Sequence, residues 1–138
     1  DTTDVEILAD SVREWTAHTI RAFREAGVMP DMVQIGNEVR NGMMWPLGRL
    51  PDNWDNFARL FEAGLQGIRD GRGSAPMPQI MLHYDNGADT EGAGAFFERR
   101  TGFHTTSSAI PTTPGGTETC SSCATICSRP SSASPTRM

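Results

Sequence analysis

Apolar residues in the first hundred positions alternate between helical spacing and short unbroken runs. Val5, Leu8, Val12, Trp15, Thr19 and Phe23 follow one another at three- and four-residue steps, which predicts an amphipathic helix of about five turns. Thr3 and Glu6 have the spacing of a capping box, and Gly27 supplies the stop. On this pattern Trp15 packs in the core and His18, off the stripe, is solvated. Met32 to Ile35 is a short apolar run, read as a buried strand, that ends at Gly36, Asn37 and Glu38 before a loop rich in Gly, Trp and Pro. Phe57, Leu60, Phe61, Gly64, Leu65 and Ile68 define a second helix, capped by Asn53 and ended by Asp70-Gly71, with Gly64 allowing close approach to a sheet. Gln79 to His83 reads as a second strand, and a third helix runs from about Glu91 to Arg100. The order helix, strand, helix, strand, helix implies right-handed crossovers and a parallel sheet.

After Gly102 the pattern dissolves. From Phe103 to Met138, Ser, Thr and Pro make up 20 of 36 residues and all three Cys appear, the composition of a disordered or mucin-like tail. The chain thus divides into an ordered α/β part, 1–102, and a tail, 103–138.

Glu38 is a carboxylate at the C-terminal end of a strand. In parallel α/β folds chemistry collects there, because the strand fixes the side chain while the next loop supplies substrate contacts. An isolated Asn-Glu pair is an ordinary surface feature; Met32 to Gly48 taken whole is far more specific. Pro30-Asp31-Met32-Val33-Gln34-Ile35-Gly36-Asn37-Glu38, followed by Asn41-Gly42-Met43-Met44-Trp45-Pro46, resembles the arabinogalactan endo-β-1,4-galactanases, glycoside hydrolase family 53.

That resemblance implies a partial (β/α)8 TIM barrel, roughly its helix 3 to helix 5, of a retaining glycosidase acting on galactan or arabinogalactan outside the cytoplasm. It implies Glu38 as the general acid/base and Asn37 as the ligand of a sugar 2-hydroxyl, although an Asn at a strand end is by itself an ordinary turn former. Trp45 reads equally as a sugar-stacking platform and as a loop anchor. His83 and Asp85, in His83-Tyr84-Asp85-Asn86-Gly87, resemble the family's segment after the fifth strand, which implies contacts to the sugar, to Glu38 or to the loop. Family members often carry Trp where Ala88 stands.

Length bears on this picture: 138 residues are too few for a complete barrel of roughly 250. The expectation is therefore a fragment, with an N-terminus internal to a longer chain, no nucleophilic carboxylate and no activity alone. A noncatalytic carbohydrate-binding remnant of the same barrel is the rival reading. The net charge of −5 argues against nucleic acid or an anionic membrane as partner, and no apolar stretch is long enough to span a bilayer. Cys120, Cys123 and Cys127 lack a fourth ligand and a surrounding fold, so no metal and no cofactor is expected.

All 12 basic residues are Arg, a bias that suits a GC-rich gene and suggests an origin for the tail. Back-translated and shifted to begin on the former third base, His104 to Ala109 permit Tyr-Asp-Val-Ile-Gly and Ile110 to Glu118 permit Ser-Tyr-Tyr-Pro-Trp-Trp-His-Gly. This is similar to the family's sixth-strand segment. The tail is therefore read as the right gene in the wrong frame, without regular structure and with accessible thiols.

Overall fold

The computed structural model describes residues 3–99 and the strand at 124–128. The elements are α1 (Val5–Glu25), β1 (Met32–Gln34), a 3-10 turn (Val39–Asn41), α2 (Trp54–Arg72), β2 (Gln79–Tyr84), α3 (Thr90–Arg99) and β3 (Ala124–Ser128). β1 and β2 pair in parallel with Met32, Val33 and Gln34 opposite Gln79, Ile80 and Met81, as the alternation of elements predicts. The α/β fold is confirmed to this extent, a two-stranded parallel unit with helices.

In-register pairing sorts the side chains onto two faces. Val33, Ile35, Ile80, Leu82 and Tyr84 lie in or against the core with Phe57, Phe61, Leu65 and Ile68 of α2 and Phe96 of α3. Met32, Gln34, Gln79, Met81 and His83 alternate with these, and none of them is among the buried core residues. Gly64 sits where a Cβ would lie 3.0 Å from Ile35 Cγ2, so the predicted close approach of α2 to the sheet is present.

Helix α1 departs from expectation in two ways. Its N-cap is Asp4, whose side chain accepts from the Glu6 amide at 2.8 Å, whereas Thr3 was predicted to cap. Glu6 does not reach back; both its oxygens accept from Arg59 of α2, at 2.7–3.1 Å. A bidentate guanidinium partner replaces the single amide bond of a capping box. The buried face is also different: Ala9, Ala17 and Ile20 are buried, while Trp15 is 73% exposed and Phe23 44%, which corrects the placement of Trp15 in the core. The reason is the tight crossing of α1 and α2, where a Cβ on Gly67 would lie 2.6 Å from Arg13 O and one on Gly71 2.5 Å from Ala17 O. With Gly67 and Gly71 packed against Arg13, Ala17 and Ile20, the seam has no room for an aromatic ring, so Trp15 and Phe23 turn to the flank of α1 beside β1. The C-terminal stop is as predicted: Gly27 has φ +73°, with Val28 N donating to Phe23 O and Gly27 N to Arg24 O, a Schellman motif.

Asn53 is the N-cap residue of α2, yet its side chain makes no capping bond. Its Nδ2 donates instead to Arg49 O and Pro46 O in the preceding loop. The other correction falls in the tail. Ala124–Ser128 forms β3, antiparallel to β2, where no regular structure was expected. A β2 edge with unpaired main-chain groups offers hydrogen bonds to any extended segment, whatever its origin. Cys127 falls within β3; the remainder of the tail, with Cys120 and Cys123, lies outside the described residues. No helix among the described residues is long and apolar enough to cross a membrane.

Two outcomes follow for the helix seam. Gly71→Ala gains up to about 1 kcal/mol of helix propensity but meets backbone and Ile20 Cβ at 2.8 Å, and overpacking costs roughly 1–3 kcal/mol. We predict a net loss of stability in urea, and a gain for Gly94→Ala in α3, where nothing lies within 4 Å of the added Cβ. The second concerns Asp70, whose carboxyl is held below the usual carboxylate range by the Arg13 side chain and then by Gln66. A depressed folded pKa stabilises above the unfolded value of about 3.9 and is lost as pH falls through the folded value. Asp70→Asn should cost roughly 0.5 kcal/mol at neutral pH, as exposed pairs do, and should flatten the acid arm of a thermal-unfolding pH series.

Candidate functional site at the strand ends

β1 ends at Gln34, opposite Met81, while β2 runs on to Tyr84, and the polar residues gather at this end. After Gln34 the chain turns through Gly36 at φ +74° and Glu38 at φ +50°. Gly36 is needed for its conformation and for space, since a Cβ would lie 2.6 Å from Val39 Cγ1. Val39, fully buried, anchors the turn from below. Glu38 is therefore presented, exposed, on a left-handed residue between a turn and an anchor. For a non-glycine this conformation costs on the order of 1 kcal/mol and marks functional positions more often than chance.

Asn37 and His83 are brought together: His83 Nδ1 lies 3.3 Å from Asn37 Oδ1. Gln34 joins them from β1, its Nε2 donating to Asn37 Oδ1 at 3.1 Å and to Gly36 O at 2.7 Å. Asp85 is turned to a different task. Its Oδ2 lies 3.3 Å from Arg40 Nη2, which ties the end of β2 to the turn that follows Glu38, and its Oδ1 is buried without a hydrogen-bond partner among the described residues.

Trp45 is 58% exposed on a loop closed by Met43 N to Gly48 O, Gly48 N to Met44 O and Leu50 N to Asn41 O. Its indole Nε1 donates to Asn41 O at 2.9 Å, and the Arg49 guanidinium carbon stands 4.8 Å from the ring centroid. The ring is thus both anchored and exposed, with Arg49 over one face. Asn56 Nδ2 donates to Leu47 O and, with Asn53, clamps the loop to the start of α2. Asn37, Gln34 and Trp45 line one side of a cleft of about 680 Å³ whose other wall includes Leu8, Val12 and Trp15 of α1. Among the described residues no group of three or more His, Cys, Asp or Glu is arranged to hold a metal ion.

Gln34, Arg40 and Arg49 were not singled out from the sequence. The signal for Gln34 was present, since a polar residue two before Gly36 on the strand shares a face with Met32 and not with Val33. Arg40 and Arg49 carried none, because their partners are set by loop closure.

Residues 1–104 match the family model for Glycosyl hydrolase family 53. The chain belongs to that family. It is 37% identical over 101 residues to the probable arabinogalactan endo-β-1,4-galactanase A of Aspergillus flavus, covering 73% of this chain and 28% of that protein. With the arabinogalactan endo-β-1,4-galactanase of Humicola insolens it shares 42% over 84 residues, covering 61% and 25%. A structure from a study of two fungal β-1,4-galactanases superposes with a TM-score of 0.66 at 36% identity, over 71% of this chain and 29% of that one. The Ignisphaera aggregans GH53 catalytic domain does so with a TM-score of 0.66 at 29% identity, over 73% and 27%. The chain therefore spans about a quarter of the length of its curated relatives.

One prediction tests the strain at Glu38. Glu38→Gly should leave the protein as stable or up to about 1 kcal/mol more stable, because glycine adopts positive φ freely. Glu38→Gln, with the same backbone demand, should leave stability unchanged, and a shift in melting temperature of the same sign and size for both variants would remove strain as the cause.

Proposed function

We propose that this chain is the acid/base portion of a retaining endo-β-1,4-galactanase that cleaves galactan in arabinogalactan. The observation that carries the reading is the meeting of Asn37 with His83 across two parallel strand ends, next to Glu38, in a family 53 chain. Retaining cleavage needs two carboxyl groups about 5–5.5 Å apart, one protonating the leaving oxygen and one attacking the anomeric carbon. Glu38 is the proton donor and, after departure of the leaving group, the base that activates water. Asn37 donates to the sugar 2-hydroxyl, a bond that tightens as the oxocarbenium ion develops, and Trp45 offers an exposed indole face to a pyranose ring. Asp85 acts through Arg40 on the turn that carries Glu38. The nucleophile comes from outside residues 1–102, in keeping with the share of the relatives that this chain spans. The end of the family match at residue 104 supports the shifted-frame origin of the tail, which the underlying DNA decides.

In a full-length barrel containing this segment, Glu38→Gln should abolish cleavage of natural galactan while sparing substrates with an activated leaving group, which need little protonation. Equal loss on both would remove Glu38 from the acid role. The 138-residue chain itself should show no galactanase activity; turnover by it, free of host enzyme, would overturn the fragment reading, and galactan binding without turnover in the full-length barrel would favour a noncatalytic remnant.

A further inference from the structure

The strand side of the cleft carries a polar side chain, Gln34, that the proposed chemistry does not use. Gln34 sits part-buried on the open face of β1, and both of its assigned bonds run to the turn that follows. We propose that Gln34 is a positioning residue that sets which end of the Asn37 amide faces the substrate and which ring nitrogen of His83 carries the proton.

The argument is a chain of donor and acceptor requirements that starts from a group with no freedom. Gly36 O is a main-chain carbonyl and can only accept. The end of Gln34 that lies 2.7 Å from it is therefore the NH2 group. The same nitrogen is 3.1 Å from the Asn37 side chain, and its second proton is directed there. If Asn37 turned its own NH2 toward Gln34, donor would face donor, so Asn37 presents Oδ1. His83 Nδ1, 3.3 Å from that oxygen, must then be the protonated nitrogen, and in the neutral ring the lone pair resides on Nε2. One carbonyl oxygen in the Gly36 turn thus orients two side chains that could each otherwise flip.

The consequence for recognition is specific. With Oδ1 held by Gln34 and His83, Asn37 can offer the substrate only its NH2 group, a donor that requires a lone pair on the sugar hydroxyl oxygen. Gln34 itself touches no substrate in this scheme. The proposal rests on the reading of Asn37 as a sugar ligand, but the tautomer of His83 is measurable without turnover.

The test is ¹⁵N NMR of the histidine rings at a pH where His83 is neutral. It is run on the full chain and, in parallel, on a full-length family 53 enzyme in which residues 30–85 replace the corresponding segment. The expected result is a protonated Nδ1 and a lone-pair-bearing Nε2 for His83. Gln34→Glu removes the donor, turns the Asn37 NH2 toward the new carboxylate and sets it against His83 Nδ1, so the proton should move to Nε2. Gln34→Met, of similar length but with no donor, should give a mixture. A proton on Nε2 in the unsubstituted proteins, ring signals unchanged by Gln34→Glu, or solvent-averaged rings in both proteins would each overturn the proposal.

In the full-length enzyme Gln34→Met should lower kcat on galactan about tenfold with little change in KM, the size of one hydrogen bond. In an Asn37→Ala background the same change should cost less than about twofold, because the two residues act as one unit. Equal factors in both backgrounds would show that Gln34 does not act through Asn37. A His83 tautomer as expected beside a failed Glu38→Gln test would overturn the catalytic reading and leave the Gln34 relay standing.

Discussion

The in-register parallel pairing of β1 with β2 is the constraint from which the rest of the described structure follows. Met32 opposite Gln79 and Gln34 opposite Met81 fix the end of β1 against β2, so that a residue three beyond Gln34 meets one two beyond Met81. A slip of one residue would turn Gln34 to the helix side and Val33 to the open side. Asn37 and His83 would then no longer share a hydrogen bond. The α2 crossover enforces the register through Gly64, which admits Ile35 closely, and through a continuous apolar contact with Ile80 and Leu82.

The sheet built this way has two unlike faces. One is packed under α2 and α3 by aromatic and aliphatic residues, including the cluster of Trp54, Phe57, Tyr84 and Phe96. The other carries Met, Gln and His, side chains that tolerate both apolar neighbours and water. This division lets a rigid, dry face support polar groups aimed at a cleft, which is the economy of βα folds in general. It also leaves Trp15 and Phe23 exposed beside β1.

The turn from Gly36 to Gly42 converts strand rigidity into side-chain position. Its left-handed residue Glu38, buried Val39 and the Arg40 to Asp85 pair fix the backbone of the turn that carries the exposed Glu38. The following loop is closed by main-chain bonds and pinned to α2 by Asn53 and Asn56. Trp45 is fixed by the same closure, so anchoring and presentation of an aromatic face are not alternatives in this loop.

Local pattern alone determined the three helices, β1 and β2, their order, the parallel pairing of those two strands and the placement of Asn37, Glu38 and His83 at strand ends, because periodicity and turn residues are properties of neighbouring positions. The family, too, was legible in the run from Pro30 to Pro46. Tertiary structure decided what depends on partners distant in sequence. Glu6 left its capping box for Arg59, Asn53 gave up its cap for loop carbonyls, and Asp85 took Arg40. Trp15, regular in its helical spacing, lost the core to Ala9 and Ala17 because the α1 to α2 seam is too narrow for an indole. The pairing of Ala124–Ser128 with β2 answered to an open strand edge, which no reading of the tail's composition can contain, since the hydrogen bonds it completes belong to another element.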